Sequence, residues 1–192
     1  MSAKQQPLIS PQDYLKQERS AEFKSEYHNG SVYAMAGASR KHNQITSNLV
    51  MILGGQLAAK PCGVYANDMK VRTLTADTDK YSYPDLVITC GDEHFEGEND
   101  EVLLNPQLII EVLSDSTEAY DRGLKFFHYQ QIPSLQDYLL VSQQNYRIEH
   151  YQRRADNQWI YSEYHRPDDV LTLSHLGCTL SVSAAYRRVF KD

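Results

Sequence analysis

The sequence predicts an α/β (α+β) fold in which helices pack on a mixed β-sheet that carries additional antiparallel strands. Two observations from the first two thirds of the chain support this class. Short apolar runs of strand length are bounded by turn signals, and amphipathic segments with helix-start signals interrupt them. The last third is a series of strand-like segments. No repeat or long linker divides the chain, so we expect one domain spanning residues 1–192.

The composition is typical of a soluble globular protein, with 41% hydrophobic and 23% charged residues. No apolar run approaches the roughly 20 residues of a membrane helix, and residues 1–7 lack the apolar core of a signal peptide. Cys62, Cys90 and Cys178 are far apart in sequence, so we expect reduced thiols and a cytoplasmic location. The net charge of −6 argues against strong electrostatic binding of nucleic acid.

The first part of the chain contains a helix start and a hairpin signal. Ser10 is typical of an N-cap, and Pro11 occupies the first helical position. Asn29-Gly30 is the strongest two-residue hairpin signal, and it places Glu26 on the first arm of a hairpin over residues 23–36. The elements predicted after it are an amphipathic helix over residues 39–57, a strand over 64–72 and a polar turn over 75–80.

Two apolar runs in the middle of the chain each contain one carboxylate. Asp85 follows Pro84 at the start of the first run, and Glu111 lies in the second, residues 108–113. Strand alternation places Glu111 on one face with Ile109 and Leu113. Burying an ionised carboxylate costs several kcal/mol unless it is paired or bound to a metal, so the two runs indicate a site. The alternatives are a strand-end cap for Asp85 and a structural salt bridge for Glu111.

A helix is predicted after the second run, and it ends before Pro133 near residue 131. Asp121 and Lys125 lie four residues apart on one face of this helix, where they could also form a simple ion pair. Two strand carboxylates and a nearby lysine are suited to metal-assisted phosphodiester hydrolysis. The other predicted elements are an acidic loop over residues 91–99, strands over 137–142, 146–152, 159–164, 170–173 and 178–181, and a last helix over 183–189.

The order of these residues resembles the restriction-endonuclease-like superfamily, whose pattern is Pro-Asp, a spacer, then Asp or Glu, one residue and Lys. The chain is most similar to the Uma-type family of candidate endonucleases, long catalogued as a domain of unknown function. The resemblance extends from Ser10 to Val189. It departs at Leu113, which occupies the position of the superfamily lysine, and it implies that Lys125 on the next helix replaces that lysine. The matching segments are residues 26–30, 39–42, 64–72, 83–85, 110–114, 120–125 and 138–141.

The resemblance implies a restriction-endonuclease-like core and a Mg²⁺-dependent (or Mn²⁺-dependent) endonuclease that acts on DNA, commonly as a homodimer. Its catalytic and supporting roles fall on six residues of this chain. Asp85 and Glu111 would hold the metal with Glu26 as a third ligand, Lys125 would orient the attacking water or stabilise the transition state, and Asp121 and His42 would support them.

Two other function classes remain open from the residues alone. A binding or assembly protein with the same fold and no chemistry would explain the acidic charge and Leu113. A carboxylate-pair glycosidase would use two carboxyl groups but has no need of Lys125. The basic residues near the matching segments could contact phosphates or form surface ion pairs; they are Arg40, Lys41, Lys70, Arg72 and Arg122.

Overall fold

The structure, a computed structural model, describes residues 8–190. Residues 1–7, for which the sequence predicts no signal peptide, lie outside the described residues, as do residues 191–192. The elements in chain order are α1 (Pro11–Glu18), β1 (Ser25–His28), β2 (Ser31–Ala34), α2 (Arg40–Leu57), β3 (Cys62–Ala66), β4 (Lys70–Leu74), β5 (Asp79–Ser82), β6 (Leu86–Cys90), β7 (Phe95–Glu96), β8 (Val102–Leu103), β9 (Leu108–Leu113), α3 (Glu118–Tyr120), a π-helical turn (Asp121–Lys125), α4 (Phe126–Tyr129), β10 (Asp137–Ser142), β11 (Ile148–Arg153), β12 (Trp159–Tyr164), β13 (Val170–Leu173), β14 (Cys178–Ser181) and α5 (Val182–Ala185).

Within residues 8–190, the strands form two mixed sheets and one hairpin, which confirms the predicted fold class. The central sheet has the order β12-β11-β10-β9-β6-β3, and only its β9–β10 pair is parallel. The second sheet has the order β2-β1-β5-β4-β8-β7, with β4 and β8 parallel. Strands β13 and β14 pair separately. Parallel and antiparallel neighbours within one sheet are common in α+β folds.

Strand β9 lies at the middle of the core and is buried along its whole length. Ile110 and Val112 face the core cluster that contains α2, β14 and α5. Ile109 and Leu113 face the opposite cluster, which also contains Phe126 and Tyr129 of α4. Because strand side chains alternate, Glu111 lies on this second face, as the sequence predicts. The continuous apolar run is therefore explained by burial on both faces of the sheet.

The predicted helix and hairpin signals of the first part of the chain are confirmed. The Ser10 hydroxyl accepts a hydrogen bond from the Asp13 N–H, which caps α1. Asn29 and Gly30 both adopt positive φ (47° and 89°), as the tight turn between β1 and β2 requires. The longest helix, α2, buries one apolar face against the central sheet. No helix within residues 8–190 has the length and apolar character needed to cross a membrane.

Several predicted boundaries are wrong, for local reasons. The strand expected over residues 64–72 is two strands, β3 and β4, because Asn67 adopts a left-handed conformation (φ 63°) between them. The polar turn over residues 75–80 is shorter than predicted, since β5 begins at Asp79. The acidic loop contains β7, and the last helix ends at Ala185. These errors split one predicted strand, miss the short strand β7 and move other element ends, without changing the order of the predicted elements.

The prediction of three reduced cysteines is wrong for two of them. Cys62 and Cys90 form a disulfide that joins β3 to β6, whereas Cys178 is free and buried. The two cysteines are 28 residues apart in sequence, but antiparallel pairing places them opposite each other with Cα atoms 4.0 Å apart. The expectation of a cytoplasmic location, which rested on reduced thiols, therefore loses this support.

Candidate active site

One cleft of about 1080 Å³ contains every residue that the sequence singles out for chemistry. Its walls include the β1–β2 hairpin and the residues just before and just after the hairpin in sequence. The segment from residue 114 to the π-helical turn also lines the cleft. The residues that the fold brings to this cleft are Glu26, His42, Asp85, Glu111, Asp121 and Lys125.

The register of the central sheet places the two strand carboxylates next to each other. Strands β6 and β9 are antiparallel, with Leu86 opposite Ile110, so one further step places Asp85 opposite Glu111. The Val112 N–H donates to Asp85 Oδ2 at 2.7 Å, and His42 Nε2 lies 2.7 Å from Asp85 Oδ1. Asp85 is therefore held by the backbone of β9 on one side and by α2 on the other.

Lys125 is buried and points at Glu111 rather than at solvent. Its Nζ lies 2.9 Å from Glu111 Oε1, 3.3 Å from Glu26 Oε1 and 3.7 Å from Asp121 Oδ1. The lysine is the last residue of the π-helical turn, a backbone irregularity that is frequent at functional sites. An ammonium thus reaches Glu111 from the helix, although Leu113 occupies the superfamily position on the strand.

The charged groups at the floor of the cleft include more carboxylates than cations, and their pKa values reflect this. The floor is formed by Glu26, Asp85, Glu111, Asp121, Lys80 and Lys125. Burial raises the pKa of Glu111 well above its usual range, and the nearby carboxylates of Asp121 and Asp85 raise it further. Burial alone would lower the pKa of Lys125, but Glu111 and the other surrounding acidic groups outweigh burial, so the net pKa is raised. The pKa of Asp121 is also raised, mainly by burial. Lys125 is therefore held in its charged form among several acidic groups.

Two residues of the site, Tyr129 and Lys80, were not predicted from the sequence as functional. The Tyr129 hydroxyl donates to Glu111 Oε1 at 3.0 Å; its position one turn after Lys125 is the signal that could have identified it. Lys80 Nζ lies 3.9 Å from Glu26 Oε2 and donates to the Tyr120 hydroxyl. Burial lowers the pKa of Lys80 to about 8. No local pattern marks Lys80, since it lies in a segment predicted as a polar turn.

Beside Lys80, the buried His128 ring stacks edge-to-face on His28, and neither of its nitrogens has a hydrogen-bond partner. Burial, followed by the charge of Lys80, lowers the pKa of His128 from 6.5 to about 4. Between these pH values the unfolded chain binds more protons than the folded chain, so the free energy of unfolding falls as the pH falls through this window.

We expect His128→Phe to reduce this loss of stability, since phenylalanine keeps the ring contact and cannot be protonated. Denaturant unfolding at pH 7.5, 6 and 4.5 would measure the effect, with exposed His94→Phe as the control. The free energy of unfolding of the variant should rise relative to that of the wild type as the pH falls below 6.5. At higher pH the difference between the two proteins should stay constant. Parallel curves over the whole range would contradict the prediction.

The donor set fits a hard divalent cation better than a soft one. Asp85 and Glu111 supply carboxylate oxygens, and no hydrogen bond among the described residues uses Glu111 Oε2. Within residues 8–190 no three His, Cys, Asp or Glu side chains are grouped so as to hold a metal ion by themselves. Magnesium is commonly bound by only one or two carboxylates together with water and substrate phosphates, which matches this pair.

The basic residues near the matching segments are engaged within the protein. Arg72 pairs with Asp79 and Glu96, and Arg122 pairs with Glu118 and Glu149. The other three contact carbonyl groups or rings: Arg40 donates to the carbonyls of Arg188 and Val189, Lys41 lies over Phe190 and Lys70 lies over Tyr83. This favours the ion-pair and packing interpretation of these residues over contacts with phosphates.

Comparison with known proteins identifies the family. The family described as "Uma2: Putative restriction endonuclease" matches residues 11–184. The chain belongs to this family. Uma2 membership confirms the resemblance stated from the motifs, and it supports a nuclease-like function.

Relatives share sequence and fold with this Uma2 protein. Two uncharacterized proteins of Synechocystis sp. strain PCC 6803 are similar over most of their length. The protein slr1290 is 36% identical over 181 residues (94% of this chain and 93% of the relative), and sll1609 is 37% identical over 156 residues (81% and 87%). The crystal structure of a putative nuclease belonging to DUF820, from Anabaena variabilis, has a TM-score of 0.71 at 17% identity and covers 92% of this chain and 98% of that chain. At this identity the structural match establishes the fold.

Proposed function

We propose that this Uma2 protein is a metal-dependent endonuclease that hydrolyses phosphodiester bonds of DNA. The family and the fold support a nuclease in general. The observation that supports the finer proposal is the ammonium of Lys125, which lies 2.9 Å from Glu111 in the cleft that also contains Asp85. Two strand carboxylates and one lysine are the groups that metal-assisted phosphodiester hydrolysis needs.

In this proposal, Asp85 and Glu111 would hold Mg²⁺ or Mn²⁺, and water and substrate phosphates would complete the shell. Glu26, the third ligand that the resemblance implies, is not grouped with them into a three-residue metal site within residues 8–190. When bound, the cation would polarise a phosphate oxygen and lower the pKa of the attacking water. A divalent charge would also offset the excess of carboxylates in the cleft floor, which adds to the effect of burial in raising the pKa of Glu111.

The protein's own groups prepare the site for this reaction. Lys125 supplies positive charge where negative charge builds on the phosphoryl oxygens, and its burial strengthens that interaction. Tyr129 fixes the Glu111 carboxylate, and His42 fixes that of Asp85. Asp121 holds Lys125 through its contact at 3.7 Å. Glu26 pairs with both buried lysines of the cleft, Lys80 and Lys125.

The second candidate is a catalytically inert binding or assembly protein with the same fold. It is favoured by the engaged basic residues and by the acidic net charge of −6, which leave little electrostatic attraction for DNA. Homodimer formation, which would bring two clefts to two strands, stays a prediction from the sequence.

The experiment that separates the two candidates is a cleavage assay on labelled single-stranded and duplex DNA with Mg²⁺, Mn²⁺ or EDTA. We expect cleavage only with a divalent cation. A Glu111→Gln preparation purified in parallel should be inactive, which excludes a contaminating nuclease. Absence of cleavage on every DNA form, or equal cleavage by both preparations, would overturn the proposal and favour the inert protein.

A further inference from the structure

The mouth of the cleft is lined by exposed aromatic and apolar side chains rather than by cations. Phe23 is 73% exposed and Tyr33 is 57% exposed, although large aromatic side chains are usually buried. Met35 and Leu124 are also exposed and line the same cleft. The chain thus presents four apolar groups to solvent around a floor of charged ones.

The register of the hairpin connects these four exposed residues (Phe23, Tyr33, Met35 and Leu124, called the rim below) to the candidate active site. Tyr33 on β2 lies directly opposite Glu26 on β1. Residues that are directly opposite in an antiparallel pair project from the same face, so Tyr33 is one strand away from Glu26 on the cleft side. Strand β2 is at the edge of its sheet, which leaves the outer side of Tyr33 open.

The charges of the cleft do not suit the backbone of a duplex. Six carboxylates and three lysines line it, with no arginine among the described lining residues. Each of the three lysines contacts a carboxylate: Lys24 pairs with Asp68, Lys80 with Glu26, and Lys125 with Glu111. A duplex carries one negative charge per roughly 1.7 Å of its axis, and its binding depends on cations that neutralise those phosphates. A tight complex must therefore gain its free energy from the bases.

We propose that the substrate strand enters this cleft unpaired, with bases stacked on Phe23 and Tyr33 and the scissile phosphate at Glu111 and Lys125. Aromatic side chains bind unpaired bases by stacking, without sequence preference, and the paired bases of a duplex do not offer their faces. The inference rests on the proposed function and names its substrate class, single-stranded DNA. It is consistent with the acidic net charge, because stacking needs no excess of basic residues.

Binding is measured separately from cleavage, so the two proposals can fail separately. Fluorescence anisotropy would compare a labelled single strand with its duplex on the Glu111→Gln protein in Mg²⁺. We expect the single strand to bind at least about tenfold more tightly, with a weak dependence on salt. Phe23→Ala and Tyr33→Ala, each added to Glu111→Gln, should weaken single-strand binding about tenfold. The controls are Phe127→Ala and Tyr161→Ala, since these aromatic residues are exposed but do not line the cleft.

Duplex binding as tight as single-strand binding, or unchanged affinity in both rim variants, would overturn the inference. Sedimentation of the same proteins tests the other possible occupant, a second copy of the chain. If the rim variants convert a dimer to a monomer and leave DNA affinity unchanged, the rim is a dimer surface and the inference is wrong. Selective single-strand binding without cleavage by the wild type would refute only the proposed hydrolysis.

Discussion

Replacing Glu111 with glutamine is expected to reduce DNA cleavage by about 10³-fold, the upper end of the range for loss of one group that stabilises the transition state. The amide keeps the shape of the side chain and can still accept from Tyr129, but it is a far weaker ligand for a hard cation. Glu26 and Asp121 still face Lys125 in this variant, so the buried ammonium keeps two acidic partners and we expect the protein to stay folded. Calorimetric titration with Mn²⁺ should show lost or much weaker binding.

Glu149→Gln is the matched control for this prediction. Glu149 is a buried glutamate on a strand of the same sheet, but it pairs with Arg122 and Arg147 and does not line the cleft. Its replacement should leave metal affinity and cleavage rate within about twofold, whatever its effect on stability. Equal losses in both variants would mean that any buried carboxylate of the sheet is needed for folding, and the assignment of Glu111 to the metal would fail.

Lys125→Met is expected to lower the cleavage rate by about 10²–10³-fold while metal affinity stays the same or rises. Methionine matches the length of the lysine side chain but brings no charge to the phosphoryl oxygens. Loss of an ammonium 2.9 Å from Glu111 also removes a repulsion of the cation. Mn²⁺ affinity should therefore fall in Glu111→Gln but not in Lys125→Met, and calorimetry beside cleavage kinetics would measure this difference. A fall in metal affinity equal to that of Glu111→Gln would contradict the separate role of Lys125.

Stability provides a second test of Lys125. Its removal leaves the buried Glu111 and Asp121 and the partly buried Glu26 without their shared cation, which should cost about 3–5 kcal/mol at neutral pH. Burial already raises the pKa values of Glu111 and Asp121, and loss of the ammonium raises them further, so stability is retained at low pH and lost as the pH rises. Adding Glu111→Gln to Lys125→Met should recover part of this loss without recovering activity.

Lys70→Met is the control for the stability measurement, because Lys70 is as buried as Lys125, at 5% exposure each, but does not line the cleft. It should change neither metal affinity nor the cleavage rate. If its loss of stability increases with pH in the same way as that of Lys125→Met, the pH dependence reflects burial of any lysine and says nothing about the carboxylates of the cleft.

Local sequence patterns were sufficient for the elements that carry the site. The apolar runs around Asp85 and Glu111 predict strands because alternation and burial are properties of neighbouring residues. The spacing of Asp121 and Lys125 predicts that their side chains lie on one face of a helix, and Asp121 Oδ1 does lie 3.7 Å from Lys125 Nζ. Asn29-Gly30 predicts the hairpin turn because few other pairs tolerate two positive φ values.

The tertiary structure alone decided which of these elements meet. The approach of Glu26 to Lys125 depends on how the second sheet packs over β9, and nothing in either segment indicates that distance. Lys80 and the Cys62–Cys90 disulfide were missed for the same reason, since both depend on strand register. Periodicity and capping are short-range properties that a sequence displays directly. Sheet order and register depend on the summed packing of distant segments, and only the folded chain reveals them.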